Sequence, residues 1–321
     1  MIDLTIEHTT EMFLEHIAYS RSQSTKQTYC NAMKSFLEML TEYNIFSNQS
    51  ISNLSEEQFS DFAKFLKSYS PATENLYINV AKNYFEFLNA ERLKTFDMVQ
   101  AKYLIKNRVR KQGVRLPQFP QHKIETVIKY ALYDIPTLPT VEKNQKLINL
   151  RDSALLITLA DTGLRVHEAC NLRRGTIDWH AGKALIIGKG NKQALVRFSD
   201  RSIHALEKYL AERDQPDAIT DDLPIFARHD KGTGQKILPI TTKTGRLIVS
   251  SRVEECLGKE SVGTITPHSF RHYFVTEVLR KTGNMKIAQE FARHSSISIT
   301  ERYTHLSNQE LDLSYKSIFN N

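Results

Sequence analysis

Through the first hundred residues, apolar side chains recur three and four positions apart, the period of helices that turn one face toward a shared core. Tyr29, Met33, Phe36, Leu37 and Leu40 form one such stripe, and Ser24 stands where a serine can cap its helix. A second stripe, Leu76, Val80, Tyr84, Phe85 and Leu88, follows Ser70-Pro71, a capping serine and a proline suited to a first helical turn. Residues 10–19 and 55–66 carry the same spacing, so 1–100 is expected to form a small all-helical domain.

Past that point the pattern changes twice. Lys102, Lys106, Arg108, Arg110, Lys111 and Arg115 form a basic run without an acid between 102 and 115, broken or followed by Gly113, Pro117 and Pro120, which predicts an interdomain linker over 101–120. From about 121 to the end at 321, helical and strand periods mix. An apolar helix over 150–161 should stop at Gly163, with a short helix starting at Arg165. Residues 184–187 and 194–198 read as two strands joined by a Gly-Lys-Gly-Asn turn that puts Lys189 at its tip. A helix near 202–212 precedes a Pro-, Gly-, Asp- and Thr-rich stretch, 214–244, expected to be loop with a short strand or two. Thr266-Pro267 opens a helix that puts His268 and Arg271 on one face; further helices are expected at 284–292 and from Ser298, the last carrying Tyr303. The expected fold is mainly α with a small antiparallel sheet.

Composition adds modest constraints. The 321 residues suit two domains, and 43 basic against 36 acidic residues give a net charge of +7, compatible with a polyanionic partner without requiring one. Cys30, Cys170 and Cys256 are odd in number and unpaired in spacing, which predicts reduced thiols, and no long apolar run is present, so a cytoplasmic protein without a membrane partner is expected.

The candidate chemistry lies in the last half. Arg165 in Thr-Gly-Leu-Arg-Val-His-Glu, Lys189, His268 and Arg271 in His-Ser-Phe-Arg, His294, and Tyr303 in Thr-Glu-Arg-Tyr supply what metal-free attack on a phosphodiester needs. Arginine forks match the non-bridging oxygens of a phosphate. Tyrosine, with a reference pKa of about 10, needs a base or a positive field to become a nucleophile, and His268 and His294 are candidates for helping it. Lys189 could protonate the leaving oxygen. Taken singly, a residue such as Arg165 is more often an ion-pair partner, here of Glu168, one such as Tyr303 more often half-buried packing, and Lys192, Arg173 and Arg197 read as solvated surface ahead of base-reading contacts. His268 and His272 have a metal-ligand spacing but lack a third ligand, so no metal or other cofactor is expected.

These motifs, in this order and with nine residues from His294 to Tyr303, resemble the tyrosine recombinases, the group of phage integrases and Xer-type enzymes. The resemblance spans about 152–305 and implies a helical core-binding domain followed by an α+β catalytic domain, together clamping DNA. It makes Arg165 and Arg271 the phosphate clamp, His268 the base or proton relay, Lys189 the general acid with Lys192 as second choice, His294 a further phosphate contact and Tyr303 the nucleophile. Glu168 would support Arg165, and the basic residues of 102–115 together with Lys192 would touch DNA. One departure is visible: family members usually carry glycine just before the second histidine, where this chain has Arg293.

The activity implied is site-specific recombination through a covalent 3′-phosphotyrosyl intermediate, by a homotetramer on double-stranded DNA with inverted half-sites. Accessory DNA-bending proteins are a further class of partner. Leu306, Leu311, Leu313, Tyr315, Ile318 and Phe319 form an apolar tail expected to dock on a neighbouring protomer. The competing expectations are a nicking-closing enzyme of the type IB topoisomerase kind, a catalytically silent DNA-binding protein of the same fold, and a metal-dependent nuclease, for which the motifs lack a carboxylate cluster.

Overall fold

The computed structural model describes residues 4–110, 120–140, 142–187, 193–214, 220–230, 232 and 236–293. The chain divides into two compact units, Met1–Arg115 and Leu116–Asn321. The described residues are mainly helical with one small antiparallel sheet, the fold class the spacing predicts.

In the first unit, helices α1 (Ile6–Ser20), α2 (Gln23–Glu42), α3 (Gln58–Phe65), α4 (Pro71–Ala90) and α5 (Met98–Arg108) close around an aromatic-rich core. Phe13, Phe36, Phe59, Phe62, Tyr84 and Phe85 are fully buried, and the Tyr84 hydroxyl is satisfied at 2.7 Å by Thr9 Oγ1. Ser70 caps α4 with Pro71 in its first turn, as the sequence indicates, but Leu76 is exposed. The cap of α2 is Ser22, and Ser24 lies within the first turn.

The basic run departs from the linker expectation. Residues 98–108 form α5, whose Ala101 and Leu104 are buried in the first unit's core. Lys102, Lys106 and Arg108 point to solvent. The Arg110 guanidinium is engaged by the buried carboxylate of Glu74 and by the Tyr69 carbonyl at 2.6 Å, so it braces the unit internally. Lys111 and Arg115 lie outside the described residues.

The second unit is built around α7 (Lys143–Thr162), preceded by α6 (Gln121–Lys129) and buried on nearly all sides from Leu147 onward. Around it pack α9 (Asp200–Arg213), α10 (Thr242–Leu257) and α11 (Pro267–Thr282), while the short α8 (Val166–Cys170) follows α7 directly and α12 (Met285–Ala292) packs on α11. Strands β1 (Ile177–Asp178), β2 (Lys183–Ile187) and β3 (Gln193–Arg197) pair antiparallel in chain order, with Lys183 opposite Arg197 and Ile187 opposite Gln193. Ala184, Ile186 and Val196 face the core, leaving Leu185, Ile187 and Leu195 exposed on the other face. Trp179 packs against this core, as expected. Cys170 is buried, Cys30 and Cys256 are half-buried, and all three are free thiols.

Helix α10 is not visible in the apolar spacing, because part of its inner face is charged. Arg252 is buried and donates through Nε to Asp152 Oδ2 at 2.9 Å, through Nη2 to Asn149 Oδ1 at 2.7 Å and through Nη1 to Glu255 at 2.7 Å. The other oxygen of Asp152 is held by Arg151 at 2.7 Å, so α7 and α10 share a saturated polar network inside the core. Removing Arg252 leaves Asp152 with Arg151 as its remaining cation and takes one donor from Asn149. Arg252→Ala should therefore cost about 1.5–3 kcal/mol, the scale of a lost hydrogen bond to a charged group, read as a lowered urea midpoint of the full chain; an unchanged midpoint would mean that the apolar contacts of α10 hold it unaided.

Candidate active site

The site grows out of the turn that ends α7. Gly163 takes the left-handed conformation at φ +60°, and a Cβ there would collide with the ring of Phe274 on α11, so no other residue fits this close approach. Leu164 is buried behind the turn and Arg165 caps α8 from an extended conformation. Glu168, in the first turn of α8, reaches back: its Oε2 accepts the Arg165 backbone N–H at 2.8 Å and its Oε1 accepts Arg165 Nη1 at 3.0 Å. The Glu168 side chain is 2% exposed and that of Arg165 is 41% exposed, so the carboxylate anchors a guanidinium that still faces outward.

Helix α11 supplies the opposite wall. Thr266 caps it with Pro267 in the first turn, and Ser269 Oγ accepts the Thr266 N–H at 3.0 Å. This entry geometry sets His268 and Arg271 on one face. Arg271 is 2% exposed, and its two terminal nitrogens donate to the carbonyls of Gly163 and Ala292. Those carbonyls belong to the ends of α7 and α12, where intrahelical donors run out and a cation is favoured. Arg165, His268 and Arg271 together line a cleft of about 400 Å³. Three of the sequence's candidate residues thus meet at one cleft, with Glu168 behind Arg165.

Lys189, Lys192, His294 and Tyr303 lie outside the described residues, as do the apolar tail and the helix expected from Ser298. Two cleft residues escape the sequence pattern: Arg246 and Ser250, both on α10. Gly245 is their enabling neighbour, since a Cβ at that position would press on Cys170 and Val166 of α8 at 2.9 Å. The cap Thr241, whose hydroxyl accepts from Thr244 N–H, is the local signal that announces this helix.

Arg293 ends α12 in the left-handed region, at φ 56° and ψ 43°, which costs a non-glycine residue about 1–2 kcal/mol. Its Nη2 donates to Glu168 Oε2 at 3.1 Å and to the Gly163 carbonyl at 3.3 Å. Glu168 is consequently shared by two guanidinium groups. Burial works against its charged form, but Arg293, followed by the bonds from Arg165, holds the carboxyl below its usual range.

His268 is pushed the other way from a typical exposed imidazole. Burial, then the positive charges of Arg271 and Arg165, lower its pKa below the ordinary 6.5. The imidazole is therefore neutral at neutral pH and able to accept a proton. Its neighbour on α11, His272, is pushed down to about 4 by burial and by His268.

Comparison with known proteins accords with this geometry. The Phage integrase family model matches residues 133–310, more than half of the chain. The tyrosine recombinase XerC of Bacillus subtilis (strain 168) is 28% identical over 318 residues, covering 97% of this chain and 96% of that protein. The crystal structure of the XerH site-specific recombinase in a post-cleavage complex with palindromic difH substrate matches with a TM-score of 0.68 at 20% identity, over 94% of this chain and 83% of that one. The Tn1549 transposon integrase in complex with transposon right end DNA gives 0.66 at 17% identity, over 99% and 100%. At such identities the structural likeness speaks for the fold. The chain belongs to the phage integrase family, as a tyrosine-type site-specific recombinase.

The depressed His268 pKa has a measurable consequence. A group that resists protonation in the folded state favours folding above 6.5 and weakens it as the pH falls through 6.5 toward the folded value. An NMR titration of the His268 ring should show a midpoint below 6.5, and Arg165→Ala should raise that midpoint while burial keeps it depressed. A midpoint at or above 6.5 in the wild-type protein would contradict this electrostatic picture.

Proposed function

We propose that this recombinase cuts and rejoins double-stranded DNA through a 3′-phosphotyrosyl intermediate formed by Tyr303, with the scissile phosphate held between Arg165 and Arg271. The convergence of two arginines and a neutral histidine on one cleft is the observation that carries the reading. Arg165, steadied by Glu168 and still facing outward, and Arg271, fixed in the wall, supply donors to the non-bridging oxygens before the substrate arrives, which lowers the cost of developing charge in the transition state.

The bond changes balance without an added reactant. The Tyr303 oxygen attacks phosphorus, its proton passing to the neutral His268; the P–O5′ bond breaks, and Lys189 protonates the departing 5′ oxygen. The phosphotyrosine keeps the energy of the ester, so attack by a 5′ hydroxyl reverses the step and joins strands without ATP. In this scheme His294 adds a phosphate contact, and Lys192 is the alternative lysine.

The likeness to XerH with its difH substrate and to the Tn1549 integrase with transposon end DNA supports a duplex DNA partner. The exposed Lys102, Lys106 and Arg108 of α5, together with Lys111 and Arg115, are suited to lie along phosphates, and the first unit then serves as a core-binding domain. Inverted half-sites, a homotetramer assembled through the apolar tail beyond Leu306, and accessory DNA-bending proteins complete the proposal, which places the protein with DNA in the cytoplasm. Among the described residues, no helix is long and apolar enough to cross a membrane.

A suicide DNA substrate tests the chemistry. The wild-type chain should form a covalent protein–DNA adduct, and Tyr303→Phe should abolish the adduct while leaving binding intact. Arg165→Ala should slow adduct formation by about 10²–10³-fold. An adduct that survived Tyr303→Phe would remove Tyr303 as the nucleophile.

A further inference from the structure

Three helices of the second unit, α7, α11 and α12, end in a left-handed residue. Two of them use Gly163 and Gly283, at φ 60° and 63°, whereas α12 uses Arg293 at φ 56°. Glycine takes this conformation freely and arginine does not, so the side chain is kept there against a backbone preference.

Its surroundings are also unfavourable for a guanidinium. The Arg293 side chain is 11% exposed. Burial, with Arg165 adding to the effect, lowers its pKa against the pull of Glu168. Its Nε and Nη1 are buried and have no hydrogen-bond partner among the described residues, while Nη2 bonds to both Glu168 and the Gly163 carbonyl. A group that carries backbone strain and orphaned donors is a poor stability device. It is, however, well placed to fix geometry.

Arg293 immediately precedes His294 and closes the helix that Arg271 also holds, through the Ala292 carbonyl. Through Nη2 it grips the oxygen of Glu168 that accepts the Arg165 backbone N–H, and the carbonyl of Gly163 that also accepts from Arg271. One side chain thus connects the end of α12 to both phosphate-clamping arginines.

We propose that Arg293 is a positioning residue for strand cleavage: its bonds to Glu168 and to the Gly163 carbonyl lock the end of α12 onto the Arg165 turn. The chain leading from His294 toward Tyr303 then departs from a fixed point, and Glu168 stays ionised to hold Arg165. This inference rests on the recombinase reading of the cleft and adds a residue to it.

Arg293→Gly is the suitable variant, since glycine takes the left-handed position without strain and the helix end should survive. At saturating suicide substrate, the single-turnover rate of adduct formation should fall about 10–100-fold, the scale of a small misplacement, with DNA affinity and thermal midpoint not lowered. The acid limb of the rate profile should also move to higher pH. Glu168 faces Arg165 from the α7–α8 turn and Arg293 from α12, and it would lose the second cation. His268 and Arg271 on α11 and Arg246 on α10 remain in place along the cleft.

Arg293→Lys restores a cation without the planar fork, so it should return the pH profile toward wild type while recovering the rate only in part. Wild-type rate and pH profile in Arg293→Gly, with or without a lowered melting point, would overturn the proposal. A wild-type protein that forms no adduct is a separate outcome, which would overturn the reading of the cleft and this inference with it.

Discussion

A single buried cation organises the second unit. Arg271 is 2% exposed, and its terminal nitrogens are taken up by the carbonyls of Gly163 and Ala292, at the ends of α7 and α12. Helix C-termini present unsatisfied carbonyls and the negative end of a dipole, and these make a guanidinium tolerable in a place where a charge alone would be expelled. The same interaction that fastens two helices leaves a permanent positive charge in the cleft wall.

From that constraint the remainder of the site follows in order. With the end of α7 fixed, the Gly163 turn aims Arg165 outward beside Arg271, and Glu168 restrains it from behind. Two positive groups close to His268 help to keep its ring neutral, so the charges that line the cleft also set the protonation state of the histidine beside them. The cleft is thus held by fixed charges and helix ends, the kind of preorganisation on which the proposed phosphoryl transfer would draw.

Much of this was legible because the sequence signals are local. The Gly163 helix stop, the Thr266-Pro267 helix start, and the spacing of His268 and Arg271 each follow from the conformational preference of one or two residues, and the structure places them accordingly. The first unit's helices were legible from aromatic spacing, although the cap of α2 moved from Ser24 to Ser22, because neighbouring serines offer nearly equivalent caps. Helix α10 was hidden since Arg252 is buried by pairing with Asp152 and Asn149, a long-range arrangement that a hydrophobic period cannot register. The same holds for Arg110, whose basic neighbours suggest a linker while its guanidinium is claimed by Glu74 across the first unit. Arg293 stands out in sequence only as an odd residue before a histidine; its bonds to Glu168 and Gly163 depend on where α12 ends relative to α7.

The most direct test is a structure of the covalent complex trapped on a suicide DNA substrate. The expected result is phosphorus bonded to the Tyr303 oxygen, with its non-bridging oxygens within hydrogen-bond reach of both Arg165 and Arg271 and the 3′ strand end attached. A phosphate esterified to a different residue, or seated outside the cleft that these arginines line, would contradict it.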